Sequence, residues 1–332
     1  MNGRLRHICV SEKKGRAKNQ LDVAELRIDH GIVGDVHAGN WHRQVSLLDI
    51  ADIDTMRKLG VELKPGAFGE NLGVEGIDLD TCGIGTQLRI GHSELQVTQI
   101  GKTCHHRCAI YYTAGDCIMP RAGLFAEVRK GGMIHAGDSV EVAQRIPREM
   151  IQASVITVSD RCSRGEAVDT SGPALQRLIQ DSQGAHIALT KVVPDDETQL
   201  AELLTHLCDR GYDLIVTTGG TGFAPRDVTP EATRSAIERE APGLAEEMRR
   251  RSVEVTPHAM LQRGVCGIRG RTLIVNLPGS EKGATENFQF IQSALAHAIK
   301  HLRDQPAHEE LELKREQRVA LKKRARKVGA QA

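Results

Sequence analysis

From residue 151 onward, short apolar runs alternate with amphipathic stretches: Ser154–Val158, Leu175–Ile179, Ile187–Val193, Leu200–Leu207 and Leu214–Thr218. Strand-length runs interleaved with runs at helical period point to βαβ units around a parallel sheet, because parallel neighbours can be joined only through a long crossover. A later strand is expected at Thr272–Leu277, after helices starting near Pro230 and Pro242, where proline suits a first helical turn. A last core helix should run from about Glu281 to Arg303. Residues 151–304 are therefore expected to form an α/β three-layer domain with a mostly parallel sheet.

Upstream the texture changes. Gln87-Leu88-Arg89-Ile90 and Glu94-Leu95-Gln96-Val97-Thr98 are short alternating stretches separated by glycine turns, which read as an antiparallel β barrel or sandwich. Helical pattern is scarce there, with Leu47 to Leu59 the main candidate. The polar run Arg145-Ile146-Pro147-Arg148-Glu149 interrupts any periodicity, so a mainly β domain is placed over residues 1–146. A length of 332 residues suits two domains of roughly 150 residues each.

The charge balance, 44 basic against 43 acidic residues, supplies no global field toward nucleic acid or membrane. Aromatics at 3% leave little for a base-stacking surface. The start, MNGRLRHICV, lacks a signal-peptide core and no apolar run reaches bilayer length, so a cytoplasmic protein is expected. In that compartment eight cysteines read as thiols, catalytic groups or ligands rather than a disulfide framework. Residues 305–332 form a basic tail, with eight Lys and Arg residues between Lys314 and Lys327, read as a solvated, partly helical extension.

Ligands of open α/β sheets bind at the carboxyl ends of strands, so the loops there carry the chemistry. The strand ending at Thr218 runs into Gly219-Gly220-Thr221-Gly222-Phe223-Ala224-Pro225-Arg226-Asp227. Glycines let backbone amides approach an anion, Arg226 suits phosphate oxygens, and Asp227 suits Mg²⁺, which prefers carboxylate plus substrate phosphate. In Pro194-Asp195-Asp196-Glu197 one aspartate is expected to cap the following helix, leaving the other for metal or substrate. Asn276-Leu277-Pro278-Gly279-Ser280 offers a third turn, with a hydroxyl able to cap a helix or face a ligand.

These motifs, with Val155–Asp160 (VITVSD), Thr217–Thr233 (TTGGTGFAPRDVTPEAT) and Val265–Pro278 (VCGIRGRTLIVNLP), resemble the MogA and MoaB proteins and the G domain of gephyrin over about residues 151–303. The resemblance implies a molybdopterin adenylyltransferase: Mg²⁺ and ATP as cofactor and substrate, molybdopterin as acceptor, pyrophosphate as product. It implies Asp227 and Asp195 as catalytic and metal-binding carboxylates. It further implies Asp160, Ser171, Gly172, Gly219, Gly220, Thr221, Gly222 and Arg226 around the nucleotide, and Pro278, Gly279 and Ser280 toward the pterin. A homotrimer through the second domain is implied as well.

In the first half, Gly31–His37, Arg43–Leu48, Pro65–Leu72, Gly101–Cys108, Gly115–Pro120 and Gly131–Asp138 together resemble the MOSC domain over about residues 25–143. That resemblance implies a β-rich module that binds the molybdenum cofactor or sulfurates it through a cysteine persulfide at Cys104, with a sulfur donor and a molybdenum insertase as partners. Lys102, Arg107 and a protonated histidine would favour the Cys104 thiolate. A zinc site from Cys104, His105, His106, Cys108 and Cys117 is the alternative, and plain burial the alternative for Cys108 and Cys117. Asp35, His37, His42 and Arg43 are a candidate anion cluster. Two other functions compete: a gephyrin-like scaffold, and a sulfur carrier whose nucleotide domain is not catalytic.

Overall fold

The structure, a computed structural model, describes residues 2–57, 63–101 and 117–303. Two compact units result, one comprising residues up to Gln152 with Asp209–Gly211, the other Ala153–Cys208 and the chain from Tyr212 onward.

The first unit is built from β1 (Asn2–Val10), β2 (Asn19–Leu21), β3 (Val23–Arg27), β4 (Gly31–Ile32), β5 (Val45–Asp49), α1 (Ile50–Arg57), β6 (Leu72–Glu75), β7 (Gln87–Ile90), β8 (Ser93–Ile100), α2 (Met119–Ala122), β9 (Leu124–Lys130), β10 (Gly132–His135) and β11 (Ser139–Gln144). Its main sheet runs β11-β7-β8-β9-β5-β6-β1-β2, and pairing of β1 with β11 closes seven strands into a barrel. Closure removes the sheet edges, and the inward residues of every strand fill the interior. Leu5, Ile8, Leu47, Leu72, Leu88, Leu95, Leu124 and Val140, all without exposed surface, are part of that core. The pairings are antiparallel except β5 with β6, which is parallel. The expected helix from Leu47 begins only at Ile50: Leu47 and Leu48 belong to β5, where both are fully buried, and α1 packs its Ile53 and Met56 into a second cluster with Phe68 and Phe125.

The second unit contains β12 (Gln152–Val158), α3 (Asp160–Ser163), α4 (Ser171–Gln183), β13 (His186–Val193), α5 (Glu197–Asp209), β14 (Leu214–Thr218), α6 (Thr229–Ala236), β15 (Arg239–Glu240), α7 (Pro242–Val255), β16 (Cys266–Arg269), β17 (Thr272–Leu277) and α8 (Glu281–Arg303). The sheet order is β13-β12-β14-β17-β16-β15. Every residue of β12, β14 and β17 is buried, as strands covered on both faces must be. β14 pairs in parallel with β12 and with β17, whereas β16 runs antiparallel to both β17 and β15. The parallel pattern thus holds for the centre of the sheet and gives way to antiparallel ribbons at one edge. Register decides where the chemistry can lie: Thr157 stands beside Thr218, and Thr218 beside Leu277. The loops leaving β12, β14 and β17 therefore open side by side.

Candidate functional site

The turn after β14 needs glycine at two positions. Gly219 has φ +100° and Gly220 φ +60°. A Cβ on Gly219 would stand 2.2 Å from the Val158 carbonyl oxygen, and one on Gly220 would stand 2.5 Å from Thr229 Oγ1 and 3.0 Å from Asp195 Oδ1. Thr229, the first residue of α6, ties the turn down: its hydroxyl donates to Gly219 O at 2.8 Å and its amide to Gly220 O at 3.0 Å. The Gly219 amide donates to Leu277 O at 3.2 Å. Of the expected cradle over residues 219–222, the Gly219 amide is thus bonded within the fold, although Gly219 lines the smaller cavity described below.

The loop then folds back on itself. The Asp227 amide donates to Ala224 O and the Ala224 amide donates to Asp227 Oδ2, both at 2.8 Å, so one carboxylate oxygen shapes the loop. Arg263, outside every motif read from the sequence, clamps the loop from behind. Its Nε donates to Gly222 O at 2.7 Å, another guanidinium nitrogen donates to Asp227 O, and a third meets Glu231 Oε1 at 2.5 Å. The Arg263 amide adds a bond to Thr221 O at 2.9 Å. Although burial opposes it, this pairing holds the Glu231 carboxyl below the usual carboxylate range.

The two aspartates after β13 divide their work. Asp196 caps α5, accepting from the Gln199 amide at 2.8 Å. Asp195 is joined reciprocally to Asp160: Asp195 Oδ2 accepts from the Asp160 amide at 2.8 Å, and Asp160 Oδ1 accepts from the Asp195 amide at 3.1 Å. Burial first, then the negative charges of Asp160 and Asp227, push the Asp195 carboxyl above its ordinary value, although the Asp160 amide and Arg226 pull the other way. Asp195 is thus an anion in the company of anions.

Two cavities open here. The smaller, about 240 Å³, includes Thr157, Asp169, Ser171, Asp195, Gly219 and Arg226 in its lining. The larger, about 500 Å³, is lined by residues that include Thr221, Gly222, Arg249, Gln262, Pro278 and Ser280. Gly220, Asp227 and Gly279 line both. Gly279 can sit there because a Cβ on it would stand 3.2 Å from Gly219 Cα. Of the residues expected around a ligand, Asp160 and Gly172 do not line either cavity. Asp160 stands behind Asp195, and Gly172 is packed so closely that a Cβ would stand 2.3 Å from Asp169 Oδ2. Asp169 lines the smaller cavity beside Asp195 and Asp227, anchored by Thr157 Oγ1 at 2.7 Å, the Gly172 amide at 2.9 Å and Ser171 Oγ at 3.2 Å. Ser280 lines the larger cavity and also caps α8 through the Gly283 amide at 3.2 Å.

A family model described as a probable molybdopterin binding domain matches residues 154–297, and a MOSC domain model matches residues 34–141. The molybdopterin adenylyltransferase of Helicobacter pylori J99 is 37% identical over 153 residues, 46% of this chain and 87% of that protein. The chain belongs to that family. Its second unit is also similar to the molybdenum cofactor synthesis protein cinnamon of Drosophila melanogaster, 47% identical over 152 residues, an alignment covering 46% of this chain. The chain spans only 25% of the length of cinnamon and 22% of that of Dictyostelium discoideum gephyrin. Among solved structures, MoaB of Thermus thermophilus is 46% identical, covering 48% of this chain and 99% of its own, with a TM-score of 0.45.

In the MOSC unit the expected anion cluster is rearranged. Asp35 is turned inward, accepting from Lys18 Nζ at 2.7 Å, the His37 amide at 2.9 Å and the Ser11 amide at 3.0 Å. Burial would raise its carboxyl, but His37 and Lys18 hold it well below the ordinary value. Asp35 is therefore a structural tie of the barrel. His42 bonds Gln99 at 2.8 Å, and Arg43 stacks on Trp41 with 4.7 Å to the ring centre. Nearby, Glu70 accepts from the Gly66 and Phe68 amides and from His7. The Cys9 thiol is pushed up to about 12, chiefly by burial and then by Glu70. Cys117 is half-buried against the Phe68 cluster. Cys104, His105, His106 and Cys108 lie outside the described residues, as does the tail 305–332. Among the described residues no helix is long and apolar enough to cross a membrane.

Proposed function

We propose that the second unit transfers the adenylyl group of ATP to molybdopterin, with the MOSC unit binding the cofactor or delivering sulfur to it in the same biosynthesis. The observation that carries this reading is the meeting of two cavities at Gly220, Asp227 and Gly279, flanked by Asp195 and Arg226. A reaction joining two substrates needs two compartments with one shared wall, and the reacting atoms belong at that wall. The smaller, acid-lined cavity suits the nucleotide; the larger, bordered by Pro278 and Ser280, suits the pterin.

The terminal phosphate oxygen of molybdopterin attacks the α-phosphorus of ATP, and the bond to the bridging oxygen breaks as pyrophosphate leaves. Arg226 and the amides of Gly220, Thr221 and Gly222 hold phosphate oxygens, so catalysis rests on positioning and charge rather than on a covalent intermediate. Asp195 and Asp227 would hold Mg²⁺, which when bound offsets the charge that repels the attacking oxygen. The donor set fits: Asp195 is pressed by the charges of Asp160 and Asp227, a grouping that a divalent cation relieves. Among the described residues no three His, Cys, Asp or Glu side chains converge on one point. Mg²⁺ suits such a site, since it takes one or two carboxylates and completes its shell with phosphate and water.

Pyrophosphate release from ATP, with and without molybdopterin, tests the reading; release that ignores molybdopterin overturns it. For the first unit, a fast-alkylating Cys104 quenched by persulfide donors supports sulfur handling, whereas slow uniform labelling with stoichiometric zinc supports the metal alternative. Cys9 and Cys266, each raised to about 12 by burial, should stay silent in that experiment.

A further inference from the structure

α8 is amphipathic. Phe288, Ile291, Leu295, Ile299 and Leu302 are buried along one side, whereas His297 and His301 are exposed. Four residues of helix bring these two side chains one above the other. Their rings are already engaged with one another: the Nε2 atoms stand 2.9 Å apart, the ring planes are crossed at 88°, and the centroids are 4.3 Å apart. Each Nε2 lies roughly 1.1 Å from its own ring centre, so a head-on arrangement would put the centroids about 5 Å apart. The shorter separation means that the two nitrogens do not meet head-on along the line between the ring centres: the rings are crossed, with both Nε2 atoms within hydrogen-bond distance beside the helix.

We propose that His297 and His301 form a two-imidazole chelate for a late first-row divalent metal ion, separate from the adenylylation site. Metal–nitrogen bonds to imidazole are about 2.0–2.1 Å, and two of them at a right angle place the nitrogens about 2.9 Å apart. The 2.9 Å hydrogen-bond spacing already matches neighbouring positions in square-planar or octahedral coordination, so Cu²⁺ or Ni²⁺ could be taken up with little movement of the rings. A tetrahedral Zn²⁺ site needs about 3.4 Å between nitrogens, a small opening that exposed rotamers permit. Without metal, one Nε2–H donates to the other Nε2; on binding, the donor ring takes its Nδ1–H tautomer, so that both Nε2 lone pairs face the ion. No third His, Cys, Asp or Glu joins the pair among the described residues, so water completes the shell and the ion exchanges readily. Five buried residues hold the helix in place beneath the pair, so the chelating geometry is prepared before the ion arrives.

Titration of the full chain with Ni²⁺, Cu²⁺ and Zn²⁺ by calorimetry, with Cu²⁺ electron paramagnetic resonance, tests the assignment. In a Cys104→Ser, Cys108→Ser background, His297→Ala and His301→Ala should each weaken the tightest site at least tenfold, and combining both should be hardly worse than either single one, because removing one arm abolishes a chelate. The Cu²⁺ spectrum should show two nitrogen ligands that fall to one in each variant. Asp227→Asn should leave the affinity of the histidine-dependent site and its two-nitrogen Cu²⁺ signal unchanged, which separates this site from the proposed reaction. Single variants that bind with wild-type affinity, or losses that simply add in the double variant, would overturn the chelate. Both side chains are exposed, so folding should survive, with circular dichroism as the check.

Discussion

Replacing Arg263 by lysine separates the shape of the Asp227 loop from its charge. The guanidinium spans Gly222 O, Asp227 O and Glu231, a fork that a single ammonium cannot reproduce. Lysine can keep the Glu231 pair, a contact with both side chains about one-third exposed and so worth at most about 1 kcal/mol. What it loses is the pair of charge-assisted bonds to the two carbonyls, each worth about 1.5–3 kcal/mol in a buried setting. Water can re-solvate part of this half-buried site, so a net loss of roughly 2–4 kcal/mol is expected, or about 5–15 °C in the Tm of the second unit. Carbonyls freed at both ends let the loop relax, and misplacement of the Asp227 carboxylate by about 1 Å should lower kcat roughly 100-fold. KM for ATP should move much less, because Arg226 and the Gly220–Gly222 amides remain. Differential scanning calorimetry reads the first effect without any assumption about the reaction, and pyrophosphate release reads the second. A lysine variant with the wild-type Tm would refute the clamp, and one with the wild-type kcat would refute its role in positioning Asp227.

Asp227→Ala should fold and lose most molybdopterin-dependent pyrophosphate release while retaining pterin affinity by equilibrium binding. Gly220→Ala places a Cβ 2.5 Å from Thr229 Oγ1 at φ +60°, and should cost about 1–3 kcal/mol in thermal denaturation along with turnover. Asp195 has a raised carboxyl, so its protonated form favours the fold: that contribution is present below its ordinary value of 3.8 and lost as pH rises through the folded value. Asp195→Asn should therefore be at least as stable as wild type at neutral pH without Mg²⁺, yet show no stabilisation when Mg²⁺ and ATP are added. In the barrel, Lys18→Met strands the buried Asp35 charge and should cost about 3–5 kcal/mol in denaturant unfolding of the first unit.

The second unit was legible in the sequence wherever short-range pattern carries the information. β17 spans Thr272–Leu277 and α8 spans Glu281–Arg303, both readable from periodicity and from the turn between them. Thr217–Asp227 could be recognised as a strand with a glycine turn because steric demands at Gly219 and Gly220 are local. Arg263 gives no such signal: it meets Glu231 and Asp227 across 32 and 36 residues, a distance that no spacing rule reaches. Asp169 hides for the opposite reason: it lies only nine residues past Asp160, the acid of that segment that the resemblance singled out. Only the reciprocal bonds between Asp160 and Asp195 reveal that Asp160 supports from behind. The barrel was harder, because closure by β1 and β11 joins the two ends of the unit, and buried charges such as Asp35 look like surface residues in a sequence.

The Asp195-Asp196 pair shows how a site can be told from a helix cap by energetics. At Asp196 the negative charge lies where a helix N-terminus stabilises it, and its hydrogen bond to Gln199 gives it a complete structural role. At Asp195 the hydrogen bond from the Asp160 amide could be accepted equally well by an asparagine oxygen, so the fold has no need of the charge. That charge is instead held half-buried beside two other carboxylates, where it opposes folding. A loop selected only to turn the chain would shed such a residue, whereas one that must grip a cation next to a triphosphate has to keep it. On the proposed reaction the stability given up at Asp195 is recovered only with Mg²⁺ and ATP in place, so ligand-induced stabilisation should be larger than contacts to the nucleotide alone would give.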